Sequence, residues 1–234
     1  MGSGSVVMPN HVTTKVEITS VNAEEALNFV KGEDSTFDFN KIIPMPESLD
    51  IESGSLTDFA LAFALTNGEK TNHSNEQIEK YFEDGFFDPK SEIARRDLER
   101  AHDYVGDSQE KREKLLELGQ RVISNVDTYG HKTWCSWRTH NWGTKWNAYQ
   151  VTTSENSIEF DTAWDSPTPI LEKWIEQFKL SCTVKAFDEG YNFWFIKEYK
   201  DGALHSERYK APEDRDALAL ELKGYSSTDE EEEE

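Results

Sequence analysis

Between Thr133 and Tyr149 the sequence crowds Trp134, Trp137, Trp142, Trp146 and Tyr149 around polar side chains of defined geometry. Indole faces stack on bases and attract cations, Arg138 and Lys145 can pair with phosphate, and Asn141 and Asn147 can orient a polar ligand. On that reading Trp137, Arg138, Asn141, Trp142, Lys145, Trp146 and Asn147 line a pocket for a small ligand such as a signalling nucleotide. The plainer reading makes the same tryptophans core, since each buries a large apolar area and needs one partner for its indole N–H. Gly143 permits close backbone approach in either case.

Other chemistry is sparse. His11, His73, His102, His131, His140 and His205 are scattered, with no pair at metal-binding helical spacing, and only His131 and His140 flank the tryptophan run. Asp161, Asp165, Asp188 and Glu189 offer paired carboxylates, but such proximity is expected by chance among 46 acidic residues. Cys135 and Cys182 lie far apart and read as two reduced thiols in a bacterial cytoplasm. No phosphate-cradling loop, nucleophile elbow or Cys–His arrangement stands out, so no catalytic residue, metal ligand or cofactor is nominated. The chain reads as a binder rather than an enzyme.

Charge narrows the partners. Lys and Arg total 25 against 46 Asp and Glu, a formal charge of -21, which disfavours gripping a nucleic acid backbone directly. With 36% hydrophobic and 12% aromatic residues the chain can build a core. Its longest apolar run, around Phe59 to Leu65, is too short to span a bilayer. Over a surface of ~11,000 Å² the net charge is about fivefold sparser than that of duplex DNA, so imitation of DNA would need clustering. Glu92, Asp97, Glu99, Asp103, Asp107 and Glu110 are the candidate partner-binding acids. Arg95, Arg96, Arg100, Lys111, Arg112 and Lys114 nearly cancel them, which suits a protein partner or self-association better than a phosphate mimic.

The elements that must position these residues follow from periodicity. His11–Ser20 alternates as a strand, Val21–Lys31 has helical spacing, and Thr36–Asn40 running into Ile43 reads as a second strand ended by Pro44 and Pro46. Residues 55–125 change texture. A helix from Ser55 ends at Asn67-Gly68, a short one covers Glu76–Phe82, and two charged helices meet at Gly106, where Asp107 and Glu110 resemble a capping box. Ala148–Thr153, Ser157–Thr162, Cys182–Phe187, Tyr191–Tyr199 and Leu204–Tyr209 read as strands, the last pair joined at Asp201-Gly202. Helices are expected over Ser166–Phe178 and Pro212–Leu222. Without the insertion the order is strand, helix, strand, strand, helix, strand, plus a hairpin: an α+β, ferredoxin-like pattern with an extra C-terminal hairpin and a helical insertion. The expected parts are 8–54 with 126–225, the insertion 55–125, an expression scar or disordered leader over 1–7, and a disordered acidic tail over 226–234.

Four motifs occur in order: Met8-Pro9-Asn10-His11-Val12, Phe39-Asn40-Lys41-Ile42-Ile43-Pro44-Met45-Pro46, Asn141-Trp142-Gly143-Thr144-Lys145-Trp146-Asn147-Ala148 and Phe160-Asp161-Thr162-Ala163-Trp164. Together they resemble the YubB-like family of phage- and plasmid-borne proteins. The resemblance implies a ferredoxin-like domain and an accessory role on a mobile element, and it supplies no catalytic residue. The expectation is a cytoplasmic protein without cofactor that binds a host protein, such as a nucleic-acid-binding defence protein, as a counter-defence inhibitor, with homo-oligomerisation left open. Capture of a small ligand by the tryptophan run and an uncharacterised enzyme activity are the alternatives.

Overall fold

The protein is represented by a computed structural model that describes residues 10–225; the expected leader over 1–7 and tail over 226–234 lie outside them. In chain order the first elements are β1 (His11–Ile18), α1 (Ala23–Phe29), α2 (Ser55–Leu65), α3 (Asn75–Tyr81), α4 (Lys90–Val105), α5 (Gln109–Tyr129) and α6 (Trp134–Trp142). Then come β2 (Tyr149–Thr153), β3 (Ser157–Ala163), α7 (Thr168–Phe178), β4 (Cys182–Asp188), β5 (Trp194–Lys200), β6 (Ala203–Tyr209) and α8 (Arg215–Lys223). Two compact units form, one from residues 10–44 and 138–225, the other from 45–137. The helical unit is wider than the 55–125 read from texture. Arg121 donates to the Ser48 and Glu47 carbonyls at 2.7 and 2.8 Å, and Asn125 donates to the carbonyls of Ser48 and Lys132 at 2.9 and 3.2 Å. These bonds draw both flanks onto α5.

In the first unit six antiparallel strands run in the order β2-β3-β1-β4-β5-β6. With α1 after β1 and α7 after β3, the first four strands and two helices have the ferredoxin-like arrangement, and β5 and β6 extend one edge as the expected hairpin. Asp201 and Gly202 both have positive φ, 51° and 87°, as a tight hairpin turn requires. Val12, Val16, Ile18, Ile158, Phe160, Val184 and Ala186 are buried on the face that also receives Leu27, Ile170 and Trp174. Phe37 touches both Phe160 and Trp174, with ring centroids 4.9 and 5.6 Å away, and the Trp174 indole donates to the Ala26 carbonyl at 3.2 Å. The opposite face takes α8, whose Leu218, Ala219 and Leu222 pack with Phe187.

Thr36–Ile43 is not a strand. Phe37 and Phe39 are both buried, which produces the alternation seen in sequence, but side chains take the place of a ladder. The Asn147 amide oxygen accepts the Phe39 N–H at 2.9 Å, and Asp38 accepts from the Asn40 N–H and the Asn147 amide at 3.0 Å each. The result is a 3-10 turn over Phe39–Lys41. Losing this strand leaves the ferredoxin-like order intact, because β2 and β3 supply the two consecutive strands.

In the helical unit α2, α4 and α5 share a core of Ala60, Phe63, Ala94, Leu98, Ala101 and Leu115. Gly119 lets α5 approach α2 closely, since a Cβ there would fall 2.1 Å from the Ala60 carbonyl oxygen. Asn67 and Gly68 take positive φ after α2, as their sequence predicts. Gly106 does break α4 from α5, but the expected Asp107–Glu110 capping box is not formed. Ser108 is the N-cap and accepts from the Lys111 N–H at 3.3 Å, because the positive-φ turn at Gly106 places the helix start one residue later. The capping box of this unit lies at Ser74 and Gln77 instead.

Candidate functional site

The tryptophan run folds as α6 and the loop after it, and its members serve different ends. Trp142 is 0% exposed; its indole donates to the Ile43 carbonyl at 2.9 Å, and its ring meets Phe39 edge-on at 5.6 Å. Arg138 lies over that ring, 4.7 Å from its centroid. Trp142 is therefore core and offers no wall to a ligand. Asn147 is engaged with Asp38 and Phe39 as described above. Trp137 is buried, Asn141 is half-buried, and Trp146 is 43% exposed. Lys145 stands apart from these, lining a shallow depression of ≈ 370 Å³ with Thr139, Gly143, Thr144, Trp164 and Asp165. Of the seven residues grouped in sequence, Lys145 alone lines this depression.

The acidic set is also sorted by the fold. Asp97 is only 6% exposed, on the inner side of α4, and burial followed by the nearby Asp58 carboxylate pushes its pKa up. That position removes it from the partner-facing set. Glu92 and Glu99 both pair with Arg95, and Glu110 pairs with Lys114 at 2.6 Å. Asp103 and Asp107 are exposed. Of the cations that nearly cancel these acids in sequence, Arg95, Arg100, Lys111 and Lys114 are exposed, and Arg96 and Arg112 are half-buried. Arg100 lies over Phe59, Lys111 over Tyr104 and Arg112 over Phe63, while Arg112 also donates to the Gly68 and Asn67 carbonyls at 3.0 and 3.1 Å. Between Glu92 and Glu117 the exposed acids are Glu92, Glu99, Asp103, Asp107, Glu110, Glu113 and Glu117, with the exposed cations Arg95, Arg100, Lys111 and Lys114 among them.

A polar cluster that sequence reasoning missed lies at one end of the sheet. The His11 N–H donates to Glu189 Oε1 at 2.7 Å, and the Thr13 hydroxyl donates to Asp161 Oδ1 at 2.5 Å. Lys223 Nζ donates to the His11 carbonyl at 2.9 Å. Tyr149 and His11 Nδ1 share a hydrogen bond of 2.6 Å. Burial, then Asp161 and Glu189, push the Tyr149 phenol up to about 12, so it keeps its proton. Burial outweighs the neighbouring acids and lowers the pKa of Lys223. These groups satisfy one another and clamp the start of β1 to β2, β4 and α8. Their signal in sequence, His11 and Tyr149 separated by well over a hundred residues, is invisible without the strand register.

The remaining nominated groups are accounted for individually. Asp165 is raised chiefly by burial, with Asp188 adding to the effect. Asp188 accepts from the Asn192 N–H and amide at 3.0 and 2.7 Å, leaving its Oδ1 buried without a hydrogen bond. His73 bonds the Ala62 carbonyl at 2.9 Å within the helical unit, and His131 and Cys135 line a polar groove there with Asp58 and Lys132. Burial pushes the Cys182 thiol up to about 12, which makes it a poor nucleophile. Among the described residues no group of three or more His, Cys, Asp or Glu side chains could hold a metal, and no helix is long and apolar enough to cross a membrane.

Comparison with known proteins adds two similarities. Residues 141–233 match a family model described as a ferredoxin-like domain in Api92-like protein. The crystal structure of a protein api92 from Yersinia pseudotuberculosis aligns at 10% sequence identity and a TM-score of 0.42, covering 86% of this chain and 98% of that chain. No curated protein matches the sequence.

Proposed function

We propose that this chain is a non-enzymatic accessory protein of a phage or plasmid that binds a host protein through the acidic side of its helical unit and so blunts a defence system. The observation that carries the reading is the excess of exposed acids over exposed cations between Glu92 and Glu117. Seven acids are exposed there, Glu92, Glu99, Asp103, Asp107, Glu110, Glu113 and Glu117, against four exposed cations, Arg95, Arg100, Lys111 and Lys114. Such a face favours a basic partner, and electrostatic steering would speed the encounter. The resemblance of the four motifs to the YubB-like family of phage- and plasmid-borne proteins supports the mobile-element origin and a cytoplasmic site of action. The indole of Trp142, spent on Ile43, weighs against the small-ligand alternative.

The test is capture from a bacterial host lysate at low and at high salt, with wild type beside the triple variant Asp103→Lys/Asp107→Lys/Glu117→Lys. Retention of a basic host protein should fall with salt and be lost in the triple variant, because exposed charge pairs are screened. Equal retention by the variant, or turnover of a substrate abolished by one side-chain change, would sink the reading.

A further inference from the structure

The segment joining α3 to α4 displays aromatic rings to water. Phe86 and Phe87 are 94% and 90% exposed, their rings edge-on with centroids 4.6 Å apart. Phe82, a few residues earlier, is buried in the core of the helical unit, so apolar packing was within reach of this segment. Instead the loop is held open by hydrogen bonds. The Gly85 N–H donates to the Asp88 carbonyl at 2.8 Å, and the Asp84 carboxylate accepts the Lys90 N–H at 2.9 Å, at the start of α4. Asp88 pairs with Arg96 at 2.6 Å, and Lys90 pairs with Glu79. Glu83 and Asp84 are exposed beside the rings, and no Lys or Arg occurs between Lys80 and Lys90.

We infer that Phe86 and Phe87 are the anchor of a protein-docking surface whose partner offers an apolar cleft rimmed by Lys or Arg. The inference rests on the proposed binding of a host protein and deepens it by naming the docking element and the partner's chemistry. Paired rings at the centre with charges around them reproduce the anatomy of interface hot spots, where aromatic anchors are desolvated inside a polar rim. Charge complementarity selects the occupant. Glu83 and Asp84 would meet basic rim residues favourably, whereas the anionic surface of a bacterial membrane would repel them. A second copy is a poor occupant, because residues 45–137 carry nineteen acidic side chains against eleven basic ones.

Photo-crosslinking in the full chain tests this. p-Benzoylphenylalanine replaces Phe86 in one variant and Asp103 in another, each is irradiated in host lysate, and the adducts are mapped by mass spectrometry. Expected from position 86 is an adduct within an apolar cleft bordered by Lys or Arg, its yield reduced about tenfold by Phe87→Ser and reduced in high salt. Both ring positions are exposed, so unchanged circular dichroism and thermal midpoint should confirm that the Phe87→Ser variant folds. An adduct only with another copy of this chain, an adduct in a site lacking basic residues, or sedimentation with phosphatidylglycerol vesicles lost in Phe87→Ser would each overturn the inference. An adduct from position 103 with none from 86 rejects the docking element while leaving the binding function standing. Adducts from neither position reject both.

Discussion

Trp142 and Lys145 separate the two readings of the tryptophan run. Trp142→Ala should destabilise the protein by ~3–5 kcal/mol, the range for emptying a large buried ring site, as measured by denaturant unfolding. Lys145→Ala should lie within about 0.5 kcal/mol of wild type, as expected of a surface change. A ligand pocket would instead show as a nucleotide-induced thermal shift that both variants lose. Asp97 makes a prediction of opposite sign. Its folded pKa is raised, so the penalty it imposes develops as pH rises from the ordinary 3.8 through the raised value, and it persists at neutrality. Asp97→Asn should therefore raise the unfolding midpoint at neutral pH and leave it nearly unchanged below the ordinary carboxylate range. The helix period does mark Asp97, which lies three residues after Ala94 and four before Ala101 on the buried face of α4. Grouping the acids by charge alone passed over this spacing, which sets Asp97 apart from Glu92 and Asp103. The core role of Trp137 and Trp142 was legible from their chemistry, while the union of His11, Tyr149, Asp161, Glu189 and Lys223 depended on which strands become neighbours.

The helical unit places two tests at the scale of elements. Alanine ordinarily improves a helix interior over glycine by about 1 kcal/mol, yet Gly119→Ala puts a Cβ 2.1 Å from the Ala60 carbonyl oxygen. The α2–α5 contact must then open, and a net loss of ~1–3 kcal/mol is expected from overpacking. Helix capping gives the second contrast, because Ser108→Ala should cost about 1 kcal/mol and Asp107→Ala much less. Equal effects at the two positions would contradict the observed cap. Most helices and strands were readable from periodicity, since their buried faces recur at 3.6 or 2 residues. The segment 36–43 misled because two phenylalanines two residues apart satisfy the strand pattern, although a side-chain amide one hundred residues downstream fixes them in a turn. The α5 start misled by one residue because sequence shows a capping motif but not the turn that delivers the chain to it.

Across the whole molecule, charge and chain order have separate consequences. On the α8 face of the sheet Lys15 and Lys185 each bridge Glu221, at 3.0 and 2.9 Å, and each also meets Glu17, at 3.3 and 2.9 Å. The Glu17 pKa is lowered chiefly by Lys185, and that of Glu221 by Lys185 and Lys15 against the opposing effect of burial. The Lys15 pKa is raised, mainly by Glu221, and that of Lys185 by both glutamates despite burial. Lowered acids stabilise above their ordinary 4.5 and lose this as pH falls through the folded values. Raised lysines stabilise below their ordinary 10.5 and lose this as pH rises through the folded values. The stability these four groups contribute should thus be flat between these limits and fall outside them, with Glu221→Gln removing no more than ~1 kcal/mol of it because solvent screens half-exposed pairs. A second consequence follows from β1, whose partners in β3 and β4 lie 140 or more residues further along the chain. During synthesis the first strand leaves the ribosome with nothing to pair, and it waits on the order of ten seconds while the intervening helices emerge and fold. Maturation of this protein is therefore paced by translation of its second half, and a circular permutant that begins at residue 138 and joins the old ends should refold faster than the native order.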